Sequence, residues 1–169
     1  MTSNLLEYAR LEASKPVVRR VRIDVKELYE QIRDLAEPLI GDKDVRLDVR
    51  VEPGAESVES DPDRLRRIIA NLAVNAVKYT PAGRVELRAA RDNGAVRIAV
   101  RDTGPGIAPS ERRRIFEPFH RGDAAPPAAG VGLGLALAQE LAHLLGTEIA
   151  VESQEHEGTT FSLVLPSAR

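Results

Sequence analysis

The sequence predicts an α+β fold: a two-layer α/β sandwich whose mixed, largely antiparallel sheet is covered by helices on one face. Three observations carry this. Asp92-Asn93-Gly94 joins two stretches of strand character, Arg84 to Arg91 and Ala95 to Asp102, and an Asn-Gly pair there is a strong hairpin signal. A second pair of short strands, Ile149 to Val151 and Thr160 to Leu165, closes the chain. The helices each carry one apolar stripe, and strands and helices do not alternate as strict β-α-β units.

Taken in order, Asn4 to Ala13 reads as a short helix that has little to pack on alone, and Pro16 stops it. Val17 to Ile23 alternates loosely, as an edge strand would. Asp24 is placed to cap a helix from Val25 to about Ile40, with Leu28, Ile32, Leu35 and Leu39 apolar and Gly41 at its end. Val45, Leu47, Val49 and Val51 alternate strictly and give a half-buried strand; Val58 begins a shorter one. The clearest helix starts at Ser60 or Asp61 with Pro62 in its first turn, and Leu65, Ile68, Ile69, Leu72, Ala73 and Ala76 form its stripe. After the hairpin come a loop with Gly104 and Gly106, a short helix near Ser110 to Ile115, and a Gly-, Ala- and Pro-rich stretch from His120 to Gly130 that should be mobile. Gly134 to Leu145 is an apolar helix that Gly146 ends.

Composition narrows the function classes. At 169 residues, with 43% hydrophobic and 30% charged residues, the chain has the length of one domain with a real core. Its net charge of −2 points away from nucleic acid and from anionic membrane surfaces. With no cysteine there is no thiolate chemistry. His120, His143 and His156 are not spaced as metal ligands. The lack of an apolar span or a signal-like start fits the cytoplasm and no membrane contact by this fragment.

Four features carry chemistry. Asn71, Asn75 and Lys78 fall on one helical face at the border of the core stripe. Amides are poor helix formers, so two of them one turn apart beside a lysine suggest oxygen ligands for Mg²⁺ and a cation for a phosphate; a solvated amphipathic face is the other reading. Asp102-Thr103-Gly104-Pro105-Gly106 closes a strand with a carboxylate that can accept from a base's exocyclic amine, or is an ordinary acidic turn. Gly130-Val131-Gly132-Leu133-Gly134 runs into an apolar helix, as a phosphate cradle or as a linker and cap. Phe116 and Phe119, in Ile115-Phe116-Glu117-Pro118-Phe119, are core anchors that are equally able to hinge a lid.

In this order and spacing the segments resemble the histidine-kinase branch of the GHKL ATPases. Asn71 to Tyr79 matches that family's N box, Asp102 to Gly106 its first glycine box, and Phe116 to Phe119 its F box. Gly130 to Leu135 matches the second glycine box and Gly158-Thr159-Thr160-Phe161 the third. The resemblance runs from about Val17 to Pro166. It implies an ATP-binding catalytic domain over residues 16–169, with residues 1–15 as the end of a dimerisation helix and its linker. It implies that Asn75 ligates Mg²⁺ with Asn71 nearby, that Lys78 meets phosphate, and that Tyr79, Ile107 and Phe119 lie against ATP. Asp102 would bind the adenine amine in a pocket shaped by Gly104 and Gly106. Gly130, Val131, Gly132, Leu133 and Gly134 would line the phosphates, with Thr160 and Arg121 as further nucleotide contacts.

One departure matters. The family's acceptor histidine sits on a dimerisation helix and is followed by an acidic residue; His120, on the lid, His143, half-buried on a helix, and His156, in a turn, do not. The resemblance therefore implies a partner, the histidine-bearing dimerisation domain of the same kinase, and a response regulator beyond it. The rivals are another GHKL member, against which the F box argues, and a catalytically dead binding module, against which the intact boxes argue.

Overall fold

The computed structural model describes residues 17–120 and 132–168. The expected helix at Asn4 to Ala13 and all but the first residue of the expected mobile stretch lie outside the described residues.

Strand β1 (Val21–Asp24) pairs antiparallel with β3 (Ser57–Ser60) in a small sheet of its own. The edge strand expected from Val17 thus starts later, and its partner is the short strand at Val58. The main sheet has five strands in the order β2 (Val45–Val51), β4 (Gly83–Asp92), β5 (Ala95–Asp102), β7 (Gly158–Pro166) and β6 (Ala150–Gln154). Only β2 and β4 run parallel; β4–β5, β5–β7 and β7–β6 are antiparallel. The sheet is mixed and largely antiparallel, as the hairpin signals require.

Strict alternation places Val85, Leu87 and Ala89 of β4, Val96, Ile98 and Val100 of β5, and Phe161, Leu163 and Leu165 of β7 on one buried face. Three helices cover it: α1 (Val25–Ala36), α2 (Pro62–Tyr79) and α3 (Gly134–Leu145). Each fully buried Leu or Ile in this layer contributes about 1.5–3 kcal/mol through loss of apolar surface to water. The other face carries Arg84, Arg88 and Arg101 among exposed residues and needs no cover.

The helix starts follow from their caps. Asp24 Oδ1 accepts from Glu27 N–H at 2.9 Å, and Asp61 Oδ1 from Arg64 N–H at 3.1 Å. The first helix is shorter than its apolar pattern suggested. It ends at Ala36 and tightens into a 3₁₀ turn over Glu37–Leu39 that contains Pro38. Its buried stripe is Val25, Leu28, Tyr29, Ile32 and Ala36. Leu35, at the border of that stripe, and Leu39, past the helix, are 49% and 45% exposed. Near Ser110 to Ile115 only a 3₁₀ turn forms, over Arg114–Phe116; Pro109 and Pro118 bracket too few residues to nucleate an α-helix.

Candidate nucleotide site

The base end of the site is set by strand register. Asp102 is the last residue of β5 and lies opposite Val85 on one side and Thr159 on the other, so all three share the buried face. Asp102 is only 6% exposed. Burial pushes its carboxyl above the usual range, and the backbone N–H groups of Gly104 and Thr159 partly hold it down. Gly104 N–H reaches Asp102 Oδ1 at 2.9 Å. A Cβ at Gly104 would stand 2.9 Å from that same oxygen and from the Tyr79 carbonyl, and 3.4 Å from Thr80 Oγ1. The end of α2 and the loop after β5 therefore meet at the carboxylate. Thr80, fully buried, turns its hydroxyl back to the Ala76 carbonyl at 2.7 Å and so closes the last turn of α2.

The loop after Asp102 and the β6–β7 turn interlock. A Cβ at Gly106 would fall 2.1 Å from the Gln154 carbonyl oxygen, and one at Gly158 would fall 2.0 Å from the Asp102 carbonyl oxygen. Both have positive φ, +73° and +113°. His156 N–H donates to the Pro105 carbonyl at 2.7 Å, and Ile107 N–H donates to Ser153 Oγ at 2.8 Å.

The phosphate end is made by helices. Asn71 and Asn75 stand one turn apart on α2, both half-buried, and both face the first residue of α3. A Cβ at Gly134 would lie 3.4 Å from Asn71 Oδ1 and 3.9 Å from Asn75 Nδ2. Neither side-chain amide, nor the half-buried Lys78 ammonium, has a hydrogen bond or ion pair among the described residues. Two amides without a partner among the described residues, at the start of a 12-residue helix, suit anionic oxygens and a hard cation, and Lys78 adds a positive charge further along α2. Among the described residues there is no cluster of three His, Cys, Asp or Glu side chains for a metal. A cation here would draw its other ligands from phosphate and water.

The F box divides. Phe116 is half-buried and meets Phe161 edge-on, with ring centroids 6.3 Å apart, so it anchors to the sheet. Phe119 is 59% exposed with φ +64°, and its N–H donates to the Gly132 carbonyl at 3.0 Å. His120 is tied down as well: its Nε2 lies 2.7 Å from Glu111 Oε2.

Most of the sequence-expected residues thus converge. Asn71, Asn75 and Gly134 meet at one end, Tyr79, Asp102, Gly104, Gly106 and Ile107 at the other, and Phe119, Gly132 and buried Leu133 lead into α3. Arg121, Gly130 and Val131 lie outside the described residues. Thr160 does not join: it pairs with Arg101 and alternates to the opposite face from Asp102, so Thr159 takes the place expected of it. His143 is exposed on α3, not half-buried, beside Gln139 and Glu140. Sequence reasoning missed Thr80, Ser153 and Thr159. The first ends the Asn71–Tyr79 helix just before Pro81, a position where a cap was there to be found; the other two needed the strand pairing.

Comparisons with known proteins give the family and the fold. Residues 60–169 match the family described as histidine kinase-, DNA gyrase B- and HSP90-like ATPases. The chain is 37% identical over 167 residues to the sensor histidine kinase AruS of Pseudomonas aeruginosa, covering 94% of this chain and 17% of AruS. It superposes on full-length ShkA in complex with AMPPNP with a TM-score of 0.88 and 36% identity, over 98% of this chain and 35% of that one. On the mycobacterial sensor histidine kinase MprB the TM-score is 0.69 with 30% identity, over 88% of this chain and 98% of that one. The chain spans under a third of the curated relatives AruS, AtsR and DivJ. The chain belongs to the histidine kinase-, DNA gyrase B- and HSP90-like ATPases, as a catalytic domain of the sensor histidine kinase branch.

Proposed function

We propose that this domain binds Mg·ATP between α2, α3 and the loop after β5, and donates the γ-phosphoryl group to a histidine on a separate dimerisation domain. That domain would in turn serve a response regulator. The observation that carries the reading is the pair of ends just described: a buried acceptor at Asp102, suited to a base amine, and the Asn71 and Asn75 amides facing the start of α3. ShkA, whose crystal structure holds AMPPNP, supports the nucleotide.

Each residue then has a task. Asp102 accepts from the adenine amine, and burial strengthens that bond by excluding water. Asn75, with Asn71 beside it, offers an amide oxygen to Mg²⁺. When bound there, the metal would supply charge neutralisation for the phosphates. Lys78 adds a positive charge on the same helical face, and the α3 start adds backbone N–H groups. Tyr79, Ile107 and Phe119 would flank the nucleotide. Arg121, Gly130 and Val131 would complete the phosphate side.

Phosphoryl transfer depends on positioning and charge, and the domain supplies both for the donor. Its histidines are poor acceptors. His120 is held by Glu111 with its side chain only 10% exposed, and His143 and His156 are exposed on a helix and a turn away from Gly134. Radiolabelled ATP added with the histidine-bearing fragment should put acid-labile label on the fragment and none on this chain. Asn75→Ala should abolish Mg²⁺-dependent nucleotide binding and that label while leaving α2 helical by circular dichroism, because alanine is the better helix former. Stable, stoichiometric label on this chain alone would overturn the assignment of its histidines.

A further inference from the structure

Ser153 sits on β6, outside the glycine boxes in sequence but paired with Thr159 of the third, and its hydroxyl is used three times. It lies 2.8 Å from Ile107 N, 3.0 Å from the Gly158 carbonyl oxygen and 2.9 Å from Thr159 Oγ1. A serine hydroxyl has one proton to give and two lone pairs to receive. An amide N–H only donates and a carbonyl only accepts. The serine proton therefore goes to Gly158, one lone pair takes the Ile107 proton, and the contact that remains receives the proton of Thr159. Every bonding position on Ser153 is then filled, and the direction of the Thr159 hydroxyl is fixed.

Thr159 is 5% exposed and stands directly opposite Asp102 on the same face of the sheet. With its proton committed to Ser153, its oxygen can only accept from anything else. Beside it, the Asp102 carboxylate, when ionised, also only accepts.

We propose that Ser153 is a positioning residue for base selection. By fixing the Thr159 proton and holding the Ile107 amide, it gives the base pocket a wall of acceptors only. The proposal rests on the nucleotide reading above. Such a wall suits a base whose exocyclic group is an amine, as in adenine. A base with a carbonyl oxygen at the same place, as in guanine, brings acceptor against acceptor, and leaving buried polar groups unpaired is the stronger route to discrimination. Without Ser153 the Thr159 hydroxyl is free to turn and donate to that carbonyl. The loop at Ile107 also loses its tie to β6.

Calorimetric titration of the parent chain, S153A and S153T with Mg·ATP and with Mg·GTP tests this. The parent should prefer ATP. S153A should bind ATP about 3- to 10-fold more weakly while keeping its GTP affinity, so that the ATP:GTP ratio falls by that same factor, the scale of one buried hydrogen bond. S153T keeps the hydroxyl on a β-branched residue suited to a strand and should restore the ratio. T159V removes the hydroxyl that Ser153 orients, so S153A should not lower the ratio further in a T159V background. An S153A ratio equal to the parent's, even with both affinities reduced together, would mean that Ser153 only supports the fold, and would overturn the proposal alone. A parent chain that binds neither nucleotide would overturn the nucleotide reading and the proposal with it.

Discussion

The two ends of the site are built by different means. At the base end, Asp102, Thr159 and Gly158 belong to paired strands, and the chain segments touch backbone to backbone across the β5–β7 register. At the phosphate end, Asn71 and Asn75 on one helix face Gly134 on a second helix packed against it, where a Cβ would lie 3.4 and 3.9 Å from their side-chain amides. Register is all-or-none: a slip of one residue turns Asp102 away from the core. Side chains on helices adjust by rotamer. The base end is therefore the rigid half, whose contacts hold the fold, and the phosphate end is the adaptable half, whose contacts are held ready for ligand.

The strongest way to break this comparison is at Gly158. A methyl there would lie 2.0 Å from a backbone oxygen that belongs to a paired strand and cannot step aside, at φ +113°. Gly158→Ala should cost about 3 kcal/mol or more of stability, from backbone strain together with overpacking. Urea denaturation of both proteins would measure it. An unchanged midpoint would mean that β5 and β7 separate freely at the pocket, and the base end would no longer be the rigid half.

This division also explains what the sequence made legible. The helices α2 and α3 and the β4–β5 hairpin were readable because caps, stripes and an Asn-Gly turn are local signals. Asn71, Asn75 and Asp102 were readable because each breaks its element's pattern. Thr159 was not. Two adjacent threonines, Thr159 and Thr160, differ only in which face of β7 they occupy, and that is fixed by pairing with a strand more than fifty residues earlier. Ser153 was hidden for the same reason, since its partner Ile107 is distant in sequence and its contact with Thr159 is fixed by the β6–β7 register. At Leu39 the apolar stripe outran its helix, where the chain tightens into a 3₁₀ turn that contains Pro38. The parallel pairing of β2 with β4 left no local mark, because the whole of α2 lies between them.

A smaller effect, on function before fold, is expected at Asp102. Asp102→Asn should weaken ATP binding by about 10-fold or more, since a hydrogen bond to a charged group contributes roughly 1.5–3 kcal/mol. Equilibrium binding checks this, and a folded variant of unchanged affinity would move the base elsewhere. The substitution also has a pH signature. Burial raises the Asp102 pKa above its unfolded value, so the folded protein binds this proton more tightly than the unfolded chain does. Its contribution to stability is fully present below the unfolded value of about 3.9 and is lost as pH rises through the raised folded value. Asparagine does not titrate. The stability of Asp102→Asn relative to the parent should therefore rise with pH across that window and then level off. A difference that stays flat through the window, or falls as pH rises, would show that burial does not raise the carboxyl's pKa.

The mildest change separates the two halves most sharply. Gly134 is the first residue of α3, and a methyl there would sit 3.4 Å from Asn71 Oδ1 and 3.9 Å from Asn75 Nδ2, in ordinary van der Waals contact. Nothing in the fold needs the space. Alanine in a helix is favoured over glycine by about 0.5–1 kcal/mol, so Gly134→Ala should leave stability unchanged or raise it by up to about that amount. The same methyl stands between the two asparagines and the end of α3, where phosphate oxygens and their cation would approach. Binding of Mg·ATP should weaken several-fold, whereas adenosine, which has no phosphates, should bind as it does to the parent. Thermal melts paired with titrations of both ligands would decide it. Equal weakening of adenosine and Mg·ATP would mean that the methyl reaches the base pocket and that the two ends are not independent. Lowered stability with intact Mg·ATP binding would mean that Gly134 serves packing, and that the asparagines answer to something other than phosphate.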